Sequence, residues 1–272
     1  MRMKIKMINR IKIGLLLLGF TALTSCQYQE IANADYPAGL IYLPAALQGI
    51  YSIDNLPTAT LADPTPGNTY RFTVNTAKNE FNVPLAVYRS GIDESKKLLV
   101  NIAVNTDTIN TLIATDTLNM KNTELLPSGK YTLPSSVNVK KDSTLGYFNL
   151  FVDLDFLKAN AQKKYALGIT ISSNDSKSNH LYNTVVVLIY TKILTPVPDF
   201  TFAIDDSTKA VTFSNASKYA TSYTWDFGDN STSTDKSPNH SYVLSGNYDV
   251  ILSATGIAGD VIKKKETVSI KN

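Results

Sequence analysis

The sequence has few reactive side chains. Its 272 residues include one cysteine, Cys26, two histidines, His180 and His240, and one tryptophan, Trp225. A lone cysteine excludes a disulfide within the chain and any multi-cysteine metal site. Two histidines far apart in sequence are a poor inventory for metal or acid–base chemistry, so no metal and no cofactor is expected. No P-loop, glycine-rich dinucleotide turn, zinc motif or serine nucleophile turn occurs. Basic charge is also scarcer than the formal +3 suggests. Arg2, Lys4, Lys6, Arg10 and Lys12 all precede Cys26 and no acid does, which leaves 21 basic against 23 acidic residues, a balance of −2. Such a surface has no electrostatic footprint for nucleic acid. Tyrosine and phenylalanine, at 15 and 10, are plentiful and suit folded β-domains.

The first residues read as an address. The basic stretch is followed by the apolar run 13–20, too short for a bilayer span of about 20 residues, and then by Thr21-Ala22-Leu23-Thr24-Ser25-Cys26. A positive segment, a short apolar core and small residues define a secretory signal. Leu23-Thr24-Ser25-Cys26 resembles a bacterial lipobox, which implies cleavage after residue 25 and acylation of Cys26; the alternative is a secreted protein with a chance cysteine. Each acyl CH₂ in lipid contributes about 0.8 kcal/mol, so several chains hold a protein firmly. The expected plan is a signal over 1–25, a tether over 26–34, a first domain over 35–192, a linker over 193–199 and a second domain over 200–272.

Sequence periodicity supports two β-domains. Tyr70, Phe72 and Val74 alternate with polar residues, as do Phe81 to Val87, Leu98 to Val104, Phe148 to Leu154 and Tyr165 to Ile171. Short strands are expected at 40–43, 131–133 and 137–139, and short helices within 106–118 and 156–162. Val185 to Ile189 is apolar at every position and predicts a strand covered on both faces. Many short strands at near-regular spacing imply an antiparallel sandwich. Two prolines in Ile193-Leu194-Thr195-Pro196-Val197-Pro198-Asp199 predict an extended, semi-rigid spacer. Beyond it, Tyr223, Trp225 and Phe227 alternate, Gly228-Asp229-Asn230 breaks the strand, and Tyr248 to Ala254 alternate again.

Two resemblances cover this span. Asn82-Val83-Pro84-Leu85-Ala86-Val87-Tyr88-Arg89-Ser90-Gly91, Leu125 to Tyr131 and Tyr165 to Ser172 look like landmarks of a domain of unknown function that follows the lipid cysteine in Bacteroidetes surface lipoproteins. That resemblance implies an immunoglobulin-like sandwich and an association with glycan capture, with no binding residues to carry over. The run Trp225-Asp226-Phe227-Gly228-Asp229, then Pro238-Asn239-His240-Ser241-Tyr242, then Gly246-Asn247-Tyr248-Asp249-Val250, resembles the PKD domain, also an immunoglobulin-like sandwich. It departs at Asn230, where the family most often has Gly; Asn tolerates a left-handed backbone. The fold class implied is all-β, two immunoglobulin-like sandwiches in tandem.

Each candidate site has a plainer reading. Trp225 could stack on a sugar, yet its alternation partners are apolar, which favours a core anchor. Asp226 and Asp229 could be acid–base groups or calcium ligands, but aspartates beside tight turns more often accept backbone N–H bonds. His240 reads as a turn and packing residue. Asp153 and Asp155 share one strand phase and could pair, though a solvated strand edge fits better; a glycosidase needs two carboxylates across a cleft. Tyr51, Tyr88, Tyr147, Tyr182 and Tyr190 fall on loops or off the apolar phase and are the best binding candidates, against the frequency of Tyr in sheets. Thr108, Thr117, Ser143 and Ser207 each follow an aspartate, the pattern of O-glycosylation in exported Bacteroidetes proteins. The expectation is a non-catalytic lipoprotein of the outer membrane, surface-exposed, held to the membrane by acylated Cys26, that binds a polysaccharide or an envelope protein. The alternative is a structural spacer in an envelope assembly. An enzyme with an unrecognised site is a third possibility.

Overall fold

A computed structural model describes residues 39–57, 68–91 and 96–271. The expected signal, Cys26 and the tether lie outside the described residues.

The first sandwich is built from two six-stranded sheets. In one, Glu80–Arg89 lies between Leu40–Tyr42 and Leu145–Asp153; Lys177–Ser178 and Tyr131–Thr132 take the edges, and Thr73–Asn75 also pairs with Glu80–Arg89. In the other, the order is Ile50–Ile53, Thr184–Tyr190, Lys164–Ser172, Leu98–Val104 and Ser136–Val139, with Thr123–Leu125 added beside Lys164–Ser172. Register sets the core. Phe81 pairs with Val152, Val83 with Leu150 and Leu85 with Phe148. These side chains all point inward and are buried against Val100, Leu167, Val185 and Val187. Each such burial contributes about 1.5–3 kcal/mol. Gly146 sits where this strand passes the opposite sheet; an added Cβ would lie 3.1 Å from Val139 Cγ2 and 3.2 Å from the Asn138 carbonyl.

Thr184–Tyr190 is covered on both faces. Val185, Val187 and Ile189 face the main core, while Val186 and Leu188 back onto Ile109 and Met120. Ile109 comes from the helix Thr106–Ala114, whose first turn is capped by Asn105 Oδ1 accepting the Thr108 N–H at 3.0 Å.

Some local expectations give way. The strand expected from Tyr70 begins at Thr73, and Tyr70 is exposed. Asp153 and Asp155 do not share a strand face. The strand ends at Asp153, which caps the helix Leu154–Ala159 by accepting the Phe156 N–H at 3.0 Å, and Asp155 lies in that helix's first turn. Leu154 satisfies both periods, so the change from strand to helix leaves no mark in the hydrophobic pattern.

The second sandwich has a three-stranded sheet, Phe200–Asp205, Ala210–Asn215 and Asn239–Ser241. Its four-stranded sheet runs Thr232–Ser233, Ala220–Asp226, Gly246–Gly256, Val261–Ile270. Its core gathers Phe200, Val211, Phe213, Trp225, Phe227, Tyr242, Val250, Leu252, Val268 and Ile270.

The junction is not the extended spacer expected over 193–199. Ile193 and Leu194 are buried in the core of the first sandwich, in a short 3₁₀ turn Thr191–Leu194. Val197 and Lys218 exchange two backbone hydrogen bonds of 2.9 Å. From the second sandwich the turn at Gly256–Asp260 reaches back: Ala258 is buried in the first core, Ile257 and Tyr219 pack on it, and Asp260 meets Lys158 at 2.9 Å. A Cβ at Gly256 would lie 2.8 Å from Pro196 Cδ. Burial of these apolar groups outweighs the stiffness of two prolines, and the described residues of the two sandwiches fall in one compact unit.

Candidate functional site

The Trp-Asp-Phe-Gly-Asp run is held by its own hydrogen bonds. Trp225 is fully buried, meets Phe200 edge-on at 5.0 Å, and donates Nε1–H to the Asp235 carbonyl at 3.0 Å. Asp226 accepts the Gly228 N–H at 3.0 Å, and Gly228 takes φ +79°, a left-handed backbone that suits glycine. Asn230 takes φ +71° in the same turn. Asp229 accepts the Ser231 N–H at 3.1 Å and the Ser231 hydroxyl at 2.5 Å, and meets His240 Nε2 at 2.7 Å. The His240 ring lies flat on Phe227 at 4.2 Å, and Tyr242 donates its hydroxyl to the Phe227 carbonyl at 2.9 Å. Burial pushes the Asp229 carboxyl up, but hydrogen bonds from Ser231 and His240 more than offset this and hold it below the usual carboxylate range. Burial raises the Tyr242 phenol.

Ser231, His240 and Asp229 thus touch one another, but not as a nucleophilic triad. A triad uses one imidazole nitrogen for the serine and the other for the carboxylate. Here the same Nε2 faces Asp229 at 2.7 Å and Ser231 at 3.3 Å, and the serine hydroxyl is bonded to the carboxylate. The cluster fastens a turn.

A different surface collects aromatic side chains. On the first sheet of the first sandwich, residues out of phase with the core point outward. Tyr42 pairs with Tyr88, Tyr88 with Leu145, Ala86 with Tyr147, Pro84 with Asn149, and Asn82 with Phe151. One sheet face therefore collects Tyr42, Tyr88, Tyr147 and Phe151 around Asn149. The Tyr42 and Tyr88 rings are 5.1 Å apart and tilted by 42°. Burial and then the neighbouring Tyr88 push the Tyr42 phenol up. Tyr147 is 54% exposed, whereas Ala86 beside it is buried. Asn149 is half-buried, and its amide makes no hydrogen bond to another described residue. Aromatic faces with polar tips beside a side-chain amide can take a molecule that offers C–H surface and hydroxyl groups together.

The five tyrosines singled out in the sequence have different fates. Tyr88 and Tyr147 share this face. Tyr51 is a correction: it is fully buried in the core, because Ile50–Ile53 lies along Thr184–Tyr190 and turns Tyr51 and Ile53 inward. Tyr182 is half-buried, and Tyr190 lies between Lys164 at 5.9 Å and Lys192 at 5.2 Å from its ring centre. Tyr42 and Phe151 were missed; their off-phase position beside Ile41 and Val152 is the signal that could have found them. Of the hydroxyls that follow an aspartate, Thr117 and Ser207 are exposed, and Thr108 and Ser143 are half-buried. Asp153 is occupied by Phe156 N–H, Lys130 at 3.0 Å and Asn79 at 3.1 Å, and the backbone bond followed by the lysine holds its carboxyl low. Two clefts, of about 260 Å³ beside Arg71 and Phe72 and about 230 Å³ beside Leu126 and Tyr131, carry a single lining carboxylate, Asp54. Among the described residues no group of three or more His, Cys, Asp or Glu could hold a metal ion.

Comparison with known proteins separates the two sandwiches. Residues 195–271 match the family model of the PKD domain. Residues 49–178 match a second family model, described as a “-like, N-terminal domain”. The pre-pro-metalloprotease PrtV of Vibrio cholerae is 29% identical over 99 residues, 36% of this chain and 11% of that protein; the chain thus spans only a small part of the curated relative it matches. The crystal structure of the PKD1 domain of PrtV is 32% identical, covering 29% of this chain and 99% of that one, with a TM-score of 0.27. An auxiliary nutrient binding protein from Bacteroides thetaiotaomicron is 15% identical, covering 81% of this chain and 72% of that one, with a TM-score of 0.36.

Proposed function

We propose that this PKD-domain protein is a non-catalytic, lipid-anchored protein of the bacterial cell envelope that binds glycan at its surface. The observation that carries the reading is the outward face of Tyr42, Tyr88, Tyr147 and Phe151 around Asn149. The lipobox-like sequence ending at Cys26 supports anchoring in the outer membrane, with the sandwiches displayed outside. The resemblance of the first domain to those of Bacteroidetes surface lipoproteins supports the same setting. Thr117 and Ser207, being exposed, are the better placed of the four candidate O-glycosylation positions.

Two experiments test this. Cys26→Ala should move the protein from the membrane fraction to the soluble fraction, and protease added to whole cells should digest the native protein. A polysaccharide array probed with the full chain should give at least one hit. Retention of Cys26→Ala in membranes would remove the anchor, and an array without hits would remove the glycan.

A second reading, a spacer that positions an envelope assembly, is favoured by the buried junction of Ala258, Ile193 and Leu194, which joins the sandwiches without a free linker. A protein complex recovered from membranes and stable in the absence of sugar would support it.

A further inference from the structure

We infer that the tyrosine face takes an uncharged, extended glycan chain several sugar units long, rather than a free monosaccharide or an anionic polymer; this rests on the glycan-binding reading above. The first support is length. At about 3.4 Å of rise per strand residue, Tyr147 and Phe151 stand about 14 Å apart on one strand, with Asn149 between them. That distance exceeds a single sugar ring, so one ring cannot engage both aromatics.

The second support is charge. On the outward positions of the paired strands from Tyr42 and Tyr88 down to Asn82 and Phe151, no residue is charged. Lys177 stands beyond Leu40 at one end, and Glu80 pairs with Asp153 at the other. Asp153 is neutralised by Lys130 at 3.0 Å. A uronate or sulfated chain would leave water for a surface that offers its charges no partner, which is costly. An uncharged chain loses little: its C–H faces lie on the rings, and its hydroxyls find the Asn149 amide, the tyrosine hydroxyls and solvent.

The test is isothermal titration of the full-length protein with neutral gluco-, manno- and xylo-oligosaccharides of increasing length, and with oligogalacturonate as the charged counterpart. Affinity should rise with length for at least one neutral series, be insensitive to salt, and fall roughly 3- to 10-fold in each of Tyr147→Ala, Phe151→Ala and Asn149→Ala. Tyr147→Ala should keep the native melting temperature, because that ring is mostly exposed, and so separates lost contact from lost fold. Tighter binding of oligogalacturonate, or equal affinity for a monosaccharide and its long oligomer, overturns this inference and leaves the glycan-binding reading standing. Undiminished binding in all three variants also overturns it and places the glycan elsewhere. No binding by the native protein sinks both.

Discussion

The Asp229 carboxylate and the His240 ring meet at 2.7 Å across the turn that follows the strand Ala220–Asp226, while the other carboxylate oxygen takes the Ser231 hydroxyl at 2.5 Å. The folded carboxyl therefore titrates below its unfolded value of about 3.9. A depressed folded pKa contributes stability that is present above the unfolded pKa and is lost as pH falls through the folded one. Asp229→Asn should cost about 1–3 kcal/mol at pH 7. Melting curves at neutral pH and near pH 3 check this: the gap between native protein and variant should narrow in acid, and a gap of constant size would show that the charge is not what matters.

Trp225 anchors the second core by packing and by one hydrogen bond. Trp225→Ala should cost about 3–5 kcal/mol through the cavity it leaves. Trp225→Phe should cost less, but strands the Asp235 carbonyl. Neither change should alter the proposed glycan affinity, measured at a temperature where the variant is folded, because this side chain has no access to solvent. A weakened affinity in folded Trp225→Phe would assign Trp225 a role in binding.

The junction makes a calorimetric prediction. With Ala258, Ile193 and Leu194 in one core, the two sandwiches should melt in a single transition. Ala258→Asp buries an unpaired charge and should either split that transition or lower it by more than 10 °C, since each kcal/mol shifts Tm by about 2–4 °C in a protein of this size. Asp260→Ala removes only the partly exposed pair with Lys158, worth about 1 kcal/mol or less, and should change little. Two separate transitions in the native protein would refute the shared core.

Asp153 provides a cap. Asp153→Ala should cost about 1 kcal/mol by leaving the Phe156 N–H unsatisfied, and Asp153→Ser should recover most of it. Chemical denaturation of the two variants distinguishes them. Equal losses would mean that the ion pair with Lys130, not the cap, carries the effect.

The sequence made the strands readable where one face is buried. Phe148, Leu150 and Val152 alternate because a core lies on one side, and Val185 to Ile189 does not alternate because cores lie on both. The turn chemistry of Asp226 to Asn230 was readable for a similar reason, since its constraints are local. The outward aromatic face was not. Tyr88 and Tyr147 become neighbours only through a register linking distant segments, with Ala86 opposite Tyr147, and no pattern within either strand encodes that pairing. Tyr51 misled for the same reason: in a strand of four residues, the side that a parallel neighbour covers is not visible in the order of its residues. The end of the first domain was hidden as well, because Ile193 and Leu194 sit beside prolines that suggest an open passage.

The turn at Gly256–Asp260 also bears on how the molecule can be divided. A fragment ending at Thr195 would lose the lid that Ala258 and Ile257 place over the lower end of the first sandwich, and would uncover greasy surface that invites aggregation. The complementary fragment would carry that turn with nothing to rest against. A cut at residue 195, where the PKD match begins, would fall within this buried junction rather than beside it.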